Sequence, residues 1–425
     1  MRETDMQTKI KNMQCFIGAS LLSSIALLPM TAQAVSEVDP LVAAVGPKSE
    51  VPIAIQNLRW AMLNGDVNTL TFRSMDTLFT TRQVGHSGNI TPFVHSDKPL
   101  DFTYDYEGNR YTPEQFLDRT YTNAMIIIKD DKVVYENYRN NSNQDTHFMA
   151  WSMTKSMVSI LVGVALEEGR IKSLDDDITT YLPELSEGAY KGVTIRQILA
   201  MKSGVDYEER YDFANPGVAA KNHILALVKN VARFVEPAKT IKRLHKPGTF
   251  LAYKTIDTAV LGLLLERVSG GSNVASYMEQ HLWEPLGAES NGFFIMDGQP
   301  GVGREFTGAG FNATARDFAR VGQMMLHNGK AANGKQIVSP EWVKLSTAPV
   351  DKEDPKLGGY GYQWWTMPNT NAYSAIGLQG QFIYVNQDEN TVIVKLSYFP
   401  QDQMDAAEAE TLKFFDTAAK WKPAN

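Results

Sequence analysis

The stretch Trp151-Ser-Met-Thr-Lys-Ser156 holds the one Ser-x-x-Lys spacing in the chain. Three residues apart on a helix puts both side chains on one face, so the Lys155 amine can reach the Ser152 hydroxyl. A serine hydroxyl is a poor nucleophile unless a base stands beside it. A lysine becomes that base when burial lowers its pKa from about 10.4 towards roughly 7–8. At a helix start, the first peptide N–H groups would also face a developing oxyanion. The chemistry is acyl transfer through a serine ester. Two further stretches fit it. Lys246-Pro-Gly-Thr-Phe-Leu-Ala-Tyr253-Lys-Thr255 sets a phenol just before an apolar helix, where it can shuttle a proton. Ile376-Gly-Leu-Gln-Gly380-Gln381 opens a strand, and glycines there let the backbone approach a ligand. Each has an ordinary alternative when taken singly: a chance spacing, a core tyrosine, a strand-entry turn.

The elements around these residues are legible. Ala124-Met-Ile-Ile-Ile-Lys129 and Lys132-Val-Val-Tyr-Glu-Asn-Tyr138, joined by Asp130-Asp131, read as a hairpin. Ser152 to Glu168 reads as a helix, with Met157, Ile160, Leu161, Val164 and Ala165 at helical spacing and Gly169 closing it. A lone lysine at such a buried start would be costly unless it had a role. Shorter helices are predicted over 194–201, 259–268 and 314–328, strands over 381–385 and 391–398, and a C-terminal helix over about 404–421. Strands at both ends with helices between predict an α/β domain, 118–170 and 335–425, split by a mostly helical inserted domain, 171–334. Residues 35–117 read as an irregular segment wrapping it.

Composition narrows the function. The 425 residues carry 41 Lys+Arg against 48 Asp+Glu, a net charge of −7. That leaves no cationic surplus for binding nucleic acid. Lys9 and Lys11 precede an apolar run, Phe16 to Met30, followed by Thr31-Ala32-Gln33-Ala34. This is the pattern of a secretory signal peptide, 1–34, and predicts an exported, periplasmic or secreted protein without stable membrane insertion after processing. Its removal takes Cys15, the one cysteine, and with it thiol chemistry and Cys-based metal sites. The seven histidines have no ligand spacing, so neither a metal nor a cofactor is expected. Gly-x-Ser-x-Gly, His-Glu-x-x-His, Walker and dinucleotide motifs are absent.

In order and character, the three elements resemble the serine β-lactamase and penicillin-recognising superfamily. Supporting stretches are Glu168-Gly-Arg-Ile-Lys-Ser-Leu-Asp-Asp176, Tyr181-Leu-Pro-Glu-Leu185, Lys202-Ser-Gly204 and Gly310-Phe-Asn-Ala-Thr-Ala-Arg-Asp-Phe-Ala319. The likeness is to the class C branch and its esterase relatives, and within it to 6-aminohexanoate-dimer-hydrolase-like enzymes. These share the character of Asn57-Leu-Arg-Trp60 and of 71–81. The resemblance implies an antiparallel sheet flanked by helices. It implies Ser152 as the acylated nucleophile, Lys155 as its partner, and Tyr253 as the group that accepts the serine proton and relays one to the leaving group. The third motif falls on Leu378-Gln379-Gly380, with backbone N–H groups of Ser152 and Gln381 as the oxyanion hole and Asn312 as a substrate contact.

Two departures shape the substrate. The third motif of the relatives opens on Lys or His, a cation for a substrate carboxylate, and here opens on Leu378. The second ends on Asn or Ser, and here on Thr255. Both weaken a β-lactam reading and leave acyl transfer intact. The expected activity is a serine hydrolase acting on a small ester or linear amide. The alternatives are a β-lactamase or peptidoglycan peptidase-type enzyme, and a non-catalytic sensor on the same fold.

Overall fold

A computed structural model describes residues 37–423 apart from 211–214, 352–357 and 369; the expected signal peptide lies outside the described residues. After a helical turn at Pro40–Ala43 come helix α1 (Ile53–Ala61), one-turn helix α2 (Asn68–Thr71), β1 (Thr81–Val84), β2 (Val94–His95), β3 (Tyr104–Tyr106) and β4 (Asn109–Tyr111). Hairpin β5 (Thr122–Lys129) and β6 (Lys132–Tyr138), then β7 (His147–Met149), lead into helix α3 (Met153–Glu167). Next come α4 (Ile195–Leu199), α5 (Val218–His223), α6 (Thr255–Val268), β8 (Gly292–Ile295), β9 (Phe311–Thr314) and α7 (Ala315–Leu326). The chain closes with β10 (Gly359–Tyr360), β11 (Trp365–Thr366), β12 (Ala372–Gly377), β13 (Gln381–Asn386), β14 (Thr391–Ser397) and helix α8 (Met404–Lys420).

The main sheet has the order β10-β11-β12-β13-β14-β5-β6-β2. Its neighbours are antiparallel except for β2, which runs parallel to β6. Asp130 and Asp131 both take positive φ, 47° and 63°, the twist a two-residue hairpin needs. Strand β5 is buried along its whole length, which is why it reads as an unbroken apolar run. Successive side chains of a strand face opposite ways, and the two sets enter two cores. Ala124, Ile126 and Ile128 join α3 and α7 on one side; Met125 and Ile127 join Phe414 and Phe415 of α8 on the other. The sheet is thus flanked by helices on both faces.

Residues 171–334 share the first of these cores with α3 and α7. They also contribute β8 and β9 to a second sheet of order β1-β8-β9-β7. Residues 37–117 are more regular than the sequence suggests, supplying β1 to the second sheet and β2 to the main one. Elements of two to four residues are too short to leave a period in the sequence. Among the described residues no helix is long and apolar enough to cross a membrane.

Candidate active site

Ser152 stands where β7 turns into α3. Trp151, just before it, has a left-handed φ of 47°, and the Ala150 N–H is tied to the Phe311 carbonyl at 2.8 Å. Ser152 is the N-cap of α3 but makes no capping hydrogen bond, although capping is what serine there ordinarily does. Its Oγ instead accepts from Lys155 Nζ at 3.0 Å. Lys155 is buried and has two other acceptors, Thr255 Oγ1 at 3.1 Å and the Gly308 carbonyl at 2.7 Å. Burial lowers its pKa to about 8, against the opposing pull of Glu209.

The start of α6 brings the second group. The Tyr253 ring lies 4.9 Å from Lys155 Nζ. It stacks on Trp365 at 5.7 Å and meets Tyr360 edge-on at 5.9 Å. Burial pushes the phenol pKa well up, and a hydrogen bond with Ser152 draws it partly back. Thr255 gives its N–H and hydroxyl to the Glu209 carboxylate, at 2.9 and 2.5 Å. Its oxygen thus takes the Lys155 bond in the place where relatives were expected to carry Asn or Ser. Helix α6 begins at Thr255, four residues before the apolar periodicity makes it legible.

The third element stands in a different register from the one the sequence suggests. Strand β11 pairs with β12 at Trp365↔Ser374 and Thr366↔Tyr373. Beyond Ser374 the outer edge of β12 has no ladder partner among the described residues, and this edge faces Ser152. The glycine at the approach is Gly377, where a Cβ would stand 2.2 Å from the Ala150 carbonyl oxygen. Gly380 packs instead on Phe399 and Ser397. The segment beside Ser152 is therefore Ala375-Ile376-Gly377, followed by Leu378. Gln381 does not line the cleft. It is paired with Gly377 on one side and Leu396 on the other, so its N–H points at a neighbouring strand, and its side-chain amide donates to the Leu378, Gln379 and Ser397 carbonyls. Asn312 is not brought to the cleft either. It is buried in β9 and its amide donates to the Gly310 carbonyl at 3.0 Å.

A cleft of about 450 Å³ opens over these groups. Its wall includes Ser152, Tyr253 and Thr255, the expected Leu378 and Gln379, and aromatic Trp151 and Trp365. Among the described residues its charged lining is Glu209 and Glu408. His223 also lines it, held neutral by burial that lowers its pKa to about 4. Glu209 comes from the polar stretch 207–213, which by sequence reads as a solvated surface loop, with the pocket mouth as the alternative. No spacing in the sequence links it to Thr255, 46 residues on.

Chemically, the arrangement offers a hydroxyl freed from capping, an amine tuned by burial, a high-pKa phenol and an open strand edge. The family described as Beta-lactamase matches residues 114–416. The 6-aminohexanoate-dimer hydrolase of Paenarthrobacter ureafaciens is 33% identical over 304 residues, 68% of this chain and 75% of that protein. A solved Bacillus anthracis structure named for 6-aminohexanoate-dimer hydrolase superposes with a TM-score of 0.73 at 23% identity, covering 91% of this chain and 97% of the other. A family VIII carboxylesterase structure superposes with a TM-score of 0.52 at 17% identity, covering 71% and 95%.

Proposed function

The chain belongs to the beta-lactamase family, and from that premise we propose that it is a serine hydrolase that cleaves a small ester or linear amide through an acyl-enzyme on Ser152. The observation that carries this reading is the 3.0 Å bond between Ser152 Oγ and a buried Lys155 whose pKa is lowered to about 8. At neutral pH roughly a tenth of such lysines are uncharged. A neutral amine has two N–H donors and one lone pair. That complement suits the three neighbours of Lys155: the neutral amine keeps its bonds to Thr255 Oγ1 and the Gly308 carbonyl, and the 3.0 Å contact in which the amine donates to Ser152 Oγ reverses, the lone pair facing the serine proton.

Ser152 Oγ then attacks the acyl carbon while its proton passes to Lys155 Nζ. The oxyanion is met by the backbone N–H of Ser152 and, in the observed register, by that of Leu378 in the turn after β12. Tyr253, with its raised pKa, stays a phenol. It gives its proton to the leaving group and recovers one from Lys155, so that Lys155 rather than Tyr253 is the first proton acceptor. Water then attacks the serine ester by the reverse route. Glu209, through Thr255, holds Lys155 in place.

The cleft favours neutral or cationic substrates. Its charged lining residues are carboxylates, and in either register the third element opens on an apolar residue, Ala375 or Leu378. This supports an ester or linear amide over a β-lactam carboxylate. The relatives named for 6-aminohexanoate-dimer hydrolase and carboxylesterase point the same way. Residues 1–34 direct export, which N-terminal sequencing of the mature protein tests. The activity is tested by a hydrolysis screen of p-nitrophenyl esters, short amide oligomers and a chromogenic cephalosporin. Turnover of esters or amides well above the cephalosporin is expected. Labelling without turnover on any of them would favour a sensor.

A further inference from the structure

The two oxyanion donors named above sit on different elements, the start of α3 and the turn after β12, and the one-turn helix α2 touches both supports. Asn68, the first residue of α2, is fully buried. Its Nδ2 donates to Gln379 Oε1 at 3.3 Å and lies 3.1 and 3.2 Å from the Tyr398 and Phe399 carbonyls. Gln379 returns the tie, its Nε2 donating to the Leu63 carbonyl at 2.8 Å. Gln379 also holds a left-handed φ of 57°, a backbone state that needs support in a residue with a side chain. Phe72, four residues after Asn68, meets Trp151 edge-on at 5.4 Å, and its carbonyl accepts from the Met149 N–H at 2.8 Å. Trp151 is likewise left-handed, with φ 47°. Residues i and i+4 share a helix face, and Phe72 is the C-cap of α2, so this turn and its cap grip both strained residues that flank the oxyanion donors, Trp151 before Ser152 and Gln379 after Leu378.

We propose that Asn68 and Phe72 are positioning residues for acyl transfer, Asn68 fixing the 378–380 turn and Phe72 fixing Trp151, so that together they set the spacing of the Leu378 and Ser152 N–H groups. The proposal rests on the reading of Ser152 as the acylated residue. It gives the N-terminal segment a catalytic task beyond packing, and it makes Leu63, which lines the cleft, part of the same brace. An oxyanion hole acts only where its donors stand at the position the charge will occupy. A brace of this kind therefore bears on the acylation step and little on ground-state binding.

The test compares Asn68→Ala, Phe72→Leu and wild type by the rate of fluorophosphonate labelling, by kcat and KM on a neutral p-nitrophenyl ester, and by Tm. Val338→Ala, a buried core truncation away from the cleft, is the control for simple loss of stability. Both brace variants should slow labelling and kcat roughly tenfold or more, with KM within about twofold. This is a part of the roughly 100- to 1000-fold that loss of one oxyanion donor costs. Val338→Ala should lower Tm and leave the labelling rate unchanged. If Asn68→Ala does not fold, Gln379→Met breaks the same tie from the other end and carries the same expectation. A folded brace variant that loses Tm but labels at the wild-type rate would overturn the proposal alone. A wild type that takes no label would overturn the reading of Ser152 and the proposal with it.

Discussion

Among the described residues two buried lysines hydrogen-bond to a serine hydroxyl, and only one pair has the makings of a catalyst. Lys155 reaches Ser152 Oγ at the start of α3. Lys395 reaches Ser397 Oγ within β14, with a second bond to the Thr120 carbonyl at 2.8 Å and the rings of Phe116 and Phe399 around it. Burial lowers both lysine pKa values. A depressed pKa is therefore not what distinguishes the active pair. Ser397 is buried in the middle of a sheet, whereas Ser152 opens on a cleft with helix N–H groups behind it and a free strand edge opposite. The lesson is that access and oxyanion donors, added to a tuned base, make a nucleophile.

The largest expected effect separates the two serines. Ser152→Ala should abolish turnover and fluorophosphonate labelling while the fold survives, at a stability loss of about 1–3 kcal/mol for the bond it strips from buried Lys155. Ser397→Ala should keep activity and lose about 1–3 kcal/mol of stability, because it strips a bond from a buried lysine. Full labelling of the Ser152→Ala protein would remove the distinction. Next in size, Lys155→Ala and Tyr253→Phe should each cost several orders of magnitude in acylation, and the double variant little more, because groups that pass one proton do not add. Single losses that multiply would show two independent tasks.

How legible this was in the sequence depends on the reach of each signal. The Ser152–Lys155 pair was legible because both residues lie in one local spacing that leads into a strongly apolar helix. The β5–β6 hairpin was legible from its alternation and its Asp130-Asp131 turn. Strand β12 was not, since Ala372-Tyr-Ser-Ala-Ile-Gly377 carries little alternation. Without that strand, the third motif falls on Leu378-Gln379-Gly380, which puts the expected oxyanion donor at Gln381. Asn68 was out of reach altogether, and Glu209 was in reach only as part of a loop offered as a lining of the pocket mouth. Each meets its site through one long-range contact from a loop or a single helical turn, and a contact of that kind leaves no periodicity.

A smaller effect tests the charge of the cleft. With Glu209 and Glu408 as its charged lining, kcat/KM for a neutral ester should exceed that for an anionic analogue of equal size. Leu378→Lys should narrow or reverse the gap, a charge-assisted contact being worth roughly 1.5–3 kcal/mol. A wild-type preference for the anionic ester would place a carboxylate-binding residue elsewhere. The smallest effect concerns the other lysine. Because its folded pKa is lowered, the unfolded chain binds the extra proton, so Lys395 lowers stability below its unfolded pKa of about 10.4 and ceases to do so above it. Lys395→Met should therefore match wild type within about 1 kcal/mol near pH 10 and gain on it as the pH falls. An unchanging difference across that window would mean that Lys395 is not titrating.

The most direct test of the account is the pH profile of fluorophosphonate labelling, with the labelled peptide identified by mass. If neutral Lys155 activates Ser152, the label should fall on the peptide containing Ser152. Its rate should rise with pH through a midpoint near the lysine's lowered pKa of about 8 and then level off. A label on another residue, or a rate that is flat from about pH 6 to 10, would contradict the assignment of Ser152 and Lys155 as an acylating pair.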